Sequence, residues 1–237
     1  MIPQAAMVLA AGLGKRMRPL TATRPKPLIE VAGATLLDHA LARLAAEGVC
    51  QAVVNVHYMA DQVEAHLARR APGLAVRISD ERARLLETGG GVAKALPLID
   101  ADPFLVVNSD NLWIDGVSPT LGLLAAHWDA ARMDALLLLV PLARAHGYEG
   151  AGDFHMDSGG TLRRRAEHRV APYVFSGVQI LAKRLFDEVA IEPFSLNHLY
   201  DHALSQGRLY GAPHGGLWFH VGIPAAIAKT EAVLAHA

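Results

Sequence analysis

Over the first two-thirds of the chain, short runs rich in aliphatic side chains alternate with longer stretches of helical spacing. Residues 5–10, 52–56, 76–79, 104–107 and 135–140 form the runs, which read as strands buried on both faces. Between them lie helix starts. Thr35-Leu36-Leu37-Asp38 and Asp61-Gln62-Val63-Glu64 have capping-box spacing, and Ser118-Pro119 offers an N-cap followed by proline at the first helical position. The alternation predicts an α/β fold, a Rossmann-like, mostly parallel sheet flanked by helices, with ligands at the carboxyl ends of its strands.

After Pro141 the pattern changes. Residues 152–156 and 161–164 flank Asp157-Ser158-Gly159-Gly160 and predict a β-hairpin, followed by a strand at 173–180. Together they predict a small, partly antiparallel insert over about residues 142–182. Helical patterns return at 196–205 and 225–235, separated by a strand-like 217–221. No internal repeat or linker-like stretch interrupts the order, so one domain over residues 1–237 is expected.

With 52% hydrophobic and 19% charged residues, 237 residues can bury one substantial core. Lys and Arg number 22 against 23 Asp and Glu. This balance gives no global attraction to nucleic acid or to an anionic membrane, so anion binding must be local. The longest strongly apolar run, 135–140, is far below the roughly 20 residues of a membrane-spanning helix. The first residues lack a basic region ahead of an apolar one, and a cytoplasmic protein is expected. Cys50, the single cysteine, heads an apolar run and reads as an inert buried thiol.

Local anion binding has an obvious candidate. The run 5–10 empties into Ala11-Gly12-Leu13-Gly14-Lys15-Arg16-Met17-Arg18-Pro19-Leu20-Thr21, then Arg24-Pro25-Lys26-Pro27, which places five cations within twelve residues. Glycines at 12 and 14 let backbone N–H groups approach phosphate oxygens, and two prolines restrict the backbone that carries Lys26. A Walker A loop is absent, and Met17 stands where a dinucleotide fingerprint needs glycine. A solvated basic loop is the remaining alternative.

Leu9-Ala10-Ala11-Gly12-x-Gly14-x-Arg16-Met17-x-Pro19-Leu20-Thr21 with Pro25-Lys26-Pro27 resembles the signature of sugar-1-phosphate nucleotidylyltransferases. The resemblance implies a GT-A-like nucleotidyltransferase fold and a reaction that joins a nucleoside triphosphate to a sugar 1-phosphate with release of pyrophosphate. It implies that Ala10, Ala11, Gly12, Gly14 and Lys15 bind the nucleotide, that Arg16 grips the triphosphate, and that Lys26 reaches the reacting phosphates. Later segments match in the same order. Within the family the chain is most similar to N-acetylmuramate 1-phosphate uridylyltransferases of cell-wall recycling. Mannose-1-phosphate guanylyltransferases and glucose-1-phosphate uridylyl- or thymidylyltransferases share the same phosphate machinery.

Asp110, just beyond the run 104–107, would project into a sheet-top crevice, and Mg²⁺ needs only one or two protein carboxylates beside phosphates and water. The resemblance makes it the metal ligand. A second ligand is implied at 220, where the family's usual aspartate is replaced by His220, so Mn²⁺ enters as an alternative to Mg²⁺. Glu87, Thr88 and Gly89 open a turn with three consecutive glycines that resembles the family's base-recognition turn, and Glu81 lies upstream at a base-contacting position. Sugar contacts are implied for Asn108, Gly152, Glu167 and Gly177. A nucleotide-binding subunit that has lost turnover through His220 is the rival from another class. No β-helical acyltransferase domain is expected, and oligomeric state is not legible.

Overall fold

A computed structural model describes residues 1–69 and 73–236. In chain order its elements are β1 (Ala5–Leu9), β2 (Glu30–Val31), β3 (Ala34–Thr35), α1 (Leu36–Ala46), β4 (Gln51–Val56), α2 (Ala60–Ala68), β5 (Ala75–Asp80) and α3 (Glu87–Ala95). There follow β6 (Phe104–Asn108), β7 (Asn111–Ile114), α4 (Thr120–His127), β8 (Ala135–Pro141), β9 (Ala145–His146), β10 (Phe154–Met156) and β11 (Leu162–Arg164). The chain closes with β12 (Tyr173–Leu181), α5 (Asn197–Ser205), β13 (Leu209–Pro213), β14 (Leu217–His220) and α6 (Pro224–Leu234).

The main sheet runs β5-β4-β1-β6-β12-β8-β13. Neighbours from β5 to β6 are parallel, β12 is antiparallel to both β6 and β8, and β8 is parallel to β13. Both faces are covered. Leu37, Leu41, Leu44, Leu121 and Leu124 pack on one face, and Val92, Leu185, Leu199 and Tyr200 on the other. Double coverage is why the strand runs are nearly solid apolar blocks. A small second sheet, β7-β14-β9, holds the residues around 110 and 220 beside the first loop.

Several details depart from expectation. β5 is an edge strand with alternating exposure and so is not buried on both faces. The stretch expected as the insert is divided: β10 and β11 form the hairpin, while β12 sits at the centre of the main sheet. Cys50 is exposed, with Sγ 3.0 Å from Gln4 Oε1. Thr35 caps α1 by accepting from Asp38 N at 3.1 Å. The other two expected caps shift. Helix α2 starts at Ala60 after Met59 in the left-handed region, and Asp61 instead pairs with Arg82 at 2.6 Å. Helix α4 starts at Thr120, whose N–H and hydroxyl both donate to Asp115 Oδ1, so Ser118 is not its cap.

Candidate active site

β1 ends at Leu9, and the loop that follows is pinned from inside. Gly14 has φ 61°, and a Cβ there would lie 2.9 Å from Thr21 Cγ2 and 3.1 Å from the Cβ of Lys26. Only glycine fits this turn without strain. Thr21 Oγ1 donates to Gly14 O at 2.9 Å, and Tyr58 donates its hydroxyl to Thr21 O at 2.9 Å. Met17, fully buried, anchors the loop among Val31, Leu36, Leu112, Phe219 and Val221. Lys15 and Arg16 are left exposed beside a fixed backbone.

Lys26 and Asp110, 84 residues apart, meet as an ion pair of 2.6 Å. Ser109, one residue earlier, donates through N–H and hydroxyl to Leu9 O at 3.2 and 2.8 Å, which straps the end of β6 to the end of β1. The pair borders a cleft of about 400 Å³ at the carboxyl ends of the parallel strands. Ala10, Ala11, Gly12, Glu87, Thr88 and Asn108 line it as well. Most of the expected nucleotide-binding and catalytic positions therefore face one cavity.

Two do not. Glu81 has no exposed surface: Oε1 accepts from Asn55 Nδ2 at 2.7 Å and Oε2 from Leu86 N at 2.9 Å. Asn55 in turn accepts from Ala10 N at 2.7 Å. The expectation that Glu81 touches the nucleobase is corrected: it holds the floor of the cleft from below. Gly89 is buried under the Phe194 ring, its N–H donating to Phe194 O at 2.8 Å, so that backbone donor is already used. Sequence reading missed Asn55 and Ser195, both of which line the cleft. Asn55 had a signal, as a polar residue near the carboxyl end of a buried strand.

The sugar-side expectations also divide. Gly177, with φ 83°, sits at the irregularity in β12, where a Cβ would meet the side-chain amides of Asn111 and Asn108. Gly177 is thus packed against Asn108, and of the two only Asn108 lines the cleft. Gly152, also in the left-handed region, is pressed against Ala171 O, and its carbonyl accepts from Arg165 Nε at 2.9 Å. Glu167 is exposed on a separate groove with Arg165 and Arg169. Neither Gly152 nor Glu167 lines the cleft, because the short hairpin and its following turn turn them outward.

His220 faces Asn111 across the β7–β14 pair. Asn111 Nδ2 donates to Ser176 O at 2.7 Å, so its Oδ1 faces His220 Nδ1 at 3.1 Å and accepts from it. That bond leaves Nε2 of the neutral ring with a free lone pair. Burial pulls the His220 pKa below its ordinary value; Asp110 opposes the shift, while Lys26 and Arg16 reinforce it. Val221 N donates to Asp110 O at 3.3 Å, tying the His220 strand to the Asp110 turn. One carboxylate and one neutral imidazole fit a divalent ion that takes its remaining ligands from phosphate and water. Among the described residues no group of three or more His, Cys, Asp or Glu is arranged to hold a metal.

The sequence profile of the family described as nucleotidyl transferase matches residues 5–227. The chain belongs to this family. The nucleotidyltransferase is 48% identical over 238 residues to the N-acetylmuramate alpha-1-phosphate uridylyltransferase of Caulobacter vibrioides, covering 99% of this chain and 98% of that protein. It is 36% identical over 230 residues to the protein of the same name from Neisseria meningitidis serogroup B, covering 96% and 97%. Among solved structures, HddC from Yersinia pseudotuberculosis superposes with a TM-score of 0.77 at 21% identity over 99% of this chain and all of that one (100%). The inositol-1-phosphate CTP transferase from T. maritima gives 0.79 at 17% identity, covering 99% and 96%. These two likenesses speak to the fold. No helix among the described residues is long and apolar enough to cross a membrane.

Proposed function

We propose that this nucleotidyltransferase transfers uridylate from UTP to N-acetylmuramate 1-phosphate, forming UDP-N-acetylmuramate and pyrophosphate. The observation that carries the reading is the 2.6 Å meeting of Lys26 and Asp110 at the cleft bordered by the glycine-rich loop. The names of the two relatives above supply the base and the sugar.

An oxygen of the sugar phosphate attacks the α-phosphorus in line with the bond to the leaving pyrophosphate. The attacking group is ionised at neutral pH, so no general base is needed. What the protein supplies is alignment and charge neutralisation. Backbone N–H groups around Gly12 and the cations Lys15 and Arg16 take the departing phosphates. Lys26 leans from Asp110 toward the α-phosphate, and Asn108 and Gly177 floor the sugar side. Asp110 and His220 would hold the divalent ion, Mg²⁺ or Mn²⁺, which when bound neutralises phosphate charge and polarises the α-phosphate.

The test is a grid of four nucleoside triphosphates against N-acetylmuramate, mannose and glucose 1-phosphates, with Mg²⁺ and with Mn²⁺, scored by pyrophosphate. UTP with N-acetylmuramate 1-phosphate should give the highest kcat/KM. A higher value for a guanylyl or thymidylyl pair would replace the substrate assignment while keeping the reaction. Pyrophosphate from no pair would overturn the reaction itself.

A further inference from the structure

The three glycines after Thr88 seat another segment of the chain. Residues 192–196 lie across the amino end of α3: Gly89 N and Gly90 N donate to Phe194 O at 2.8 and 3.3 Å, and Phe194 N donates to Leu86 O at 3.3 Å. Leu196 N donates to Thr88 Oγ1 at 2.9 Å. A Cβ on Gly89 would enter the Phe194 ring, and one on Gly90 would enter the carbonyl oxygen of Glu192. Ser195 is thus held between two anchored neighbours, at the cleft wall that also holds Leu85 and Thr88.

The Ser195 hydroxyl has a defined direction of donation. Its Oγ accepts from Asn197 N and from Asn197 Nδ2, each at 3.2 Å. The Asn197 amide cannot turn over without loss, because its Oδ1 accepts from Arg164 Nη2 at 3.0 Å, and Arg164 Nε is itself bonded to Asp201 at 2.7 Å. Two donors therefore point at a hydroxyl that has two lone pairs and one proton. The lone pairs are used, and the proton remains for an acceptor in the cleft. Lys26 and Asp110 take the phosphate side of that cleft, which leaves the Ser195 wall for the nucleobase.

From this arrangement we infer that Ser195 is a specificity-determining residue, donating to a ring carbonyl of the uracil, with Arg164 and Asn197 as the positioning residues that orient it. The inference rests on the uridylyl reading above and adds the group that reads the base. Asn197→Asp replaces the fixed donor by an acceptor, so the serine proton turns away from the cleft. The bond from Asn197 N to Ser195 Oγ is left in place.

The experiment measures equilibrium UTP binding in the absence of sugar phosphate, together with steady-state kinetics. Ser195→Ala and Asn197→Asp should each weaken UTP binding and raise its KM about tenfold, the size of one lost hydrogen bond, with kcat within about twofold. Ser195→Thr should restore binding. The tenfold penalty of Ser195→Ala should vanish for either 2-thio-UTP or 4-thio-UTP, whichever lacks the oxygen that is read. Unchanged UTP binding in Ser195→Ala, or an equal penalty for UTP and both analogues, would overturn the inference. Wild-type protein that binds UTP with this pattern yet releases no pyrophosphate would overturn the reaction and leave Ser195 standing. Wild-type turnover matched by Ser195→Ala at every UTP concentration would do the reverse.

Discussion

Gly90→Ala separates the seat from ordinary helix energetics. In a helix interior this change stabilises by roughly 1 kcal/mol, through helix propensity. Here the new methyl would meet the backbone oxygen of Glu192, an atom that no rotamer change can move. Segment 192–196 must lift, and the two bonds from Gly89 N and Gly90 N to Phe194 O go with it. At about 1 kcal/mol for each bond, and about 1 kcal/mol for the Phe194 packing, the loss is about 3 kcal/mol. The propensity gain offsets part of this, leaving a net destabilisation of about 2 kcal/mol. Gly122→Ala is the control: it sits in α4, where an added Cβ would meet Glu47 Oε2 at 3.8 Å and Pro119 Cβ at 3.9 Å, both ordinary contacts. Urea unfolding should show Gly122→Ala slightly stabilised and Gly90→Ala destabilised, and only Gly90→Ala should raise the KM for UTP. If both variants gain stability and both keep the wild-type KM, the reasoning is wrong.

Glu81→Ala leaves Asn55 Nδ2 and Leu86 N without acceptors in a buried site, at a cost of about 3 kcal/mol, readable as a lower urea midpoint. Burial depresses the pKa values of both His214 and His220, so the unfolded chain binds more protons than the folded one in mild acid. Their contribution to stability is therefore complete above the ordinary histidine range and is lost progressively as pH falls from that range through their depressed folded values. Unfolding midpoints from pH 7.5 to 5 should decline, and the decline should flatten in His214→Asn; a profile that rises on acidification would contradict the sign. His220→Asp restores a second anionic oxygen ligand, so the ratio of Mn²⁺- to Mg²⁺-supported activity should fall. An unchanged ratio would place His220 outside the metal site.

The parallel half of the sheet was legible because strands covered on both faces leave solid apolar runs, as in β1, β4 and β6. The same pattern could not say that β12 threads antiparallel between β6 and β8, since a buried strand reads alike in either direction. Lys26, Asp110 and the first loop could be read because cations, glycines and prolines concentrate there. Glu81 and Gly89 were misread for a shared reason: a polar group or a missing side chain at a sheet top serves a ligand or the chain itself, and spacing does not say which. Here Asn55 and Leu86 claim Glu81, and Phe194 claims Gly89. Cys50 misled because the run it heads is buried while the turn that carries it is not.

The most direct test is pyrophosphate release from UTP and N-acetylmuramate 1-phosphate by the wild-type chain, Lys26→Ala and Asp110→Asn, with circular dichroism confirming that all three are folded. The account predicts robust wild-type turnover and a loss of about 10³-fold or more in each variant, the scale of removing a transition-state charge contact. Near-wild-type turnover in either folded variant would contradict it.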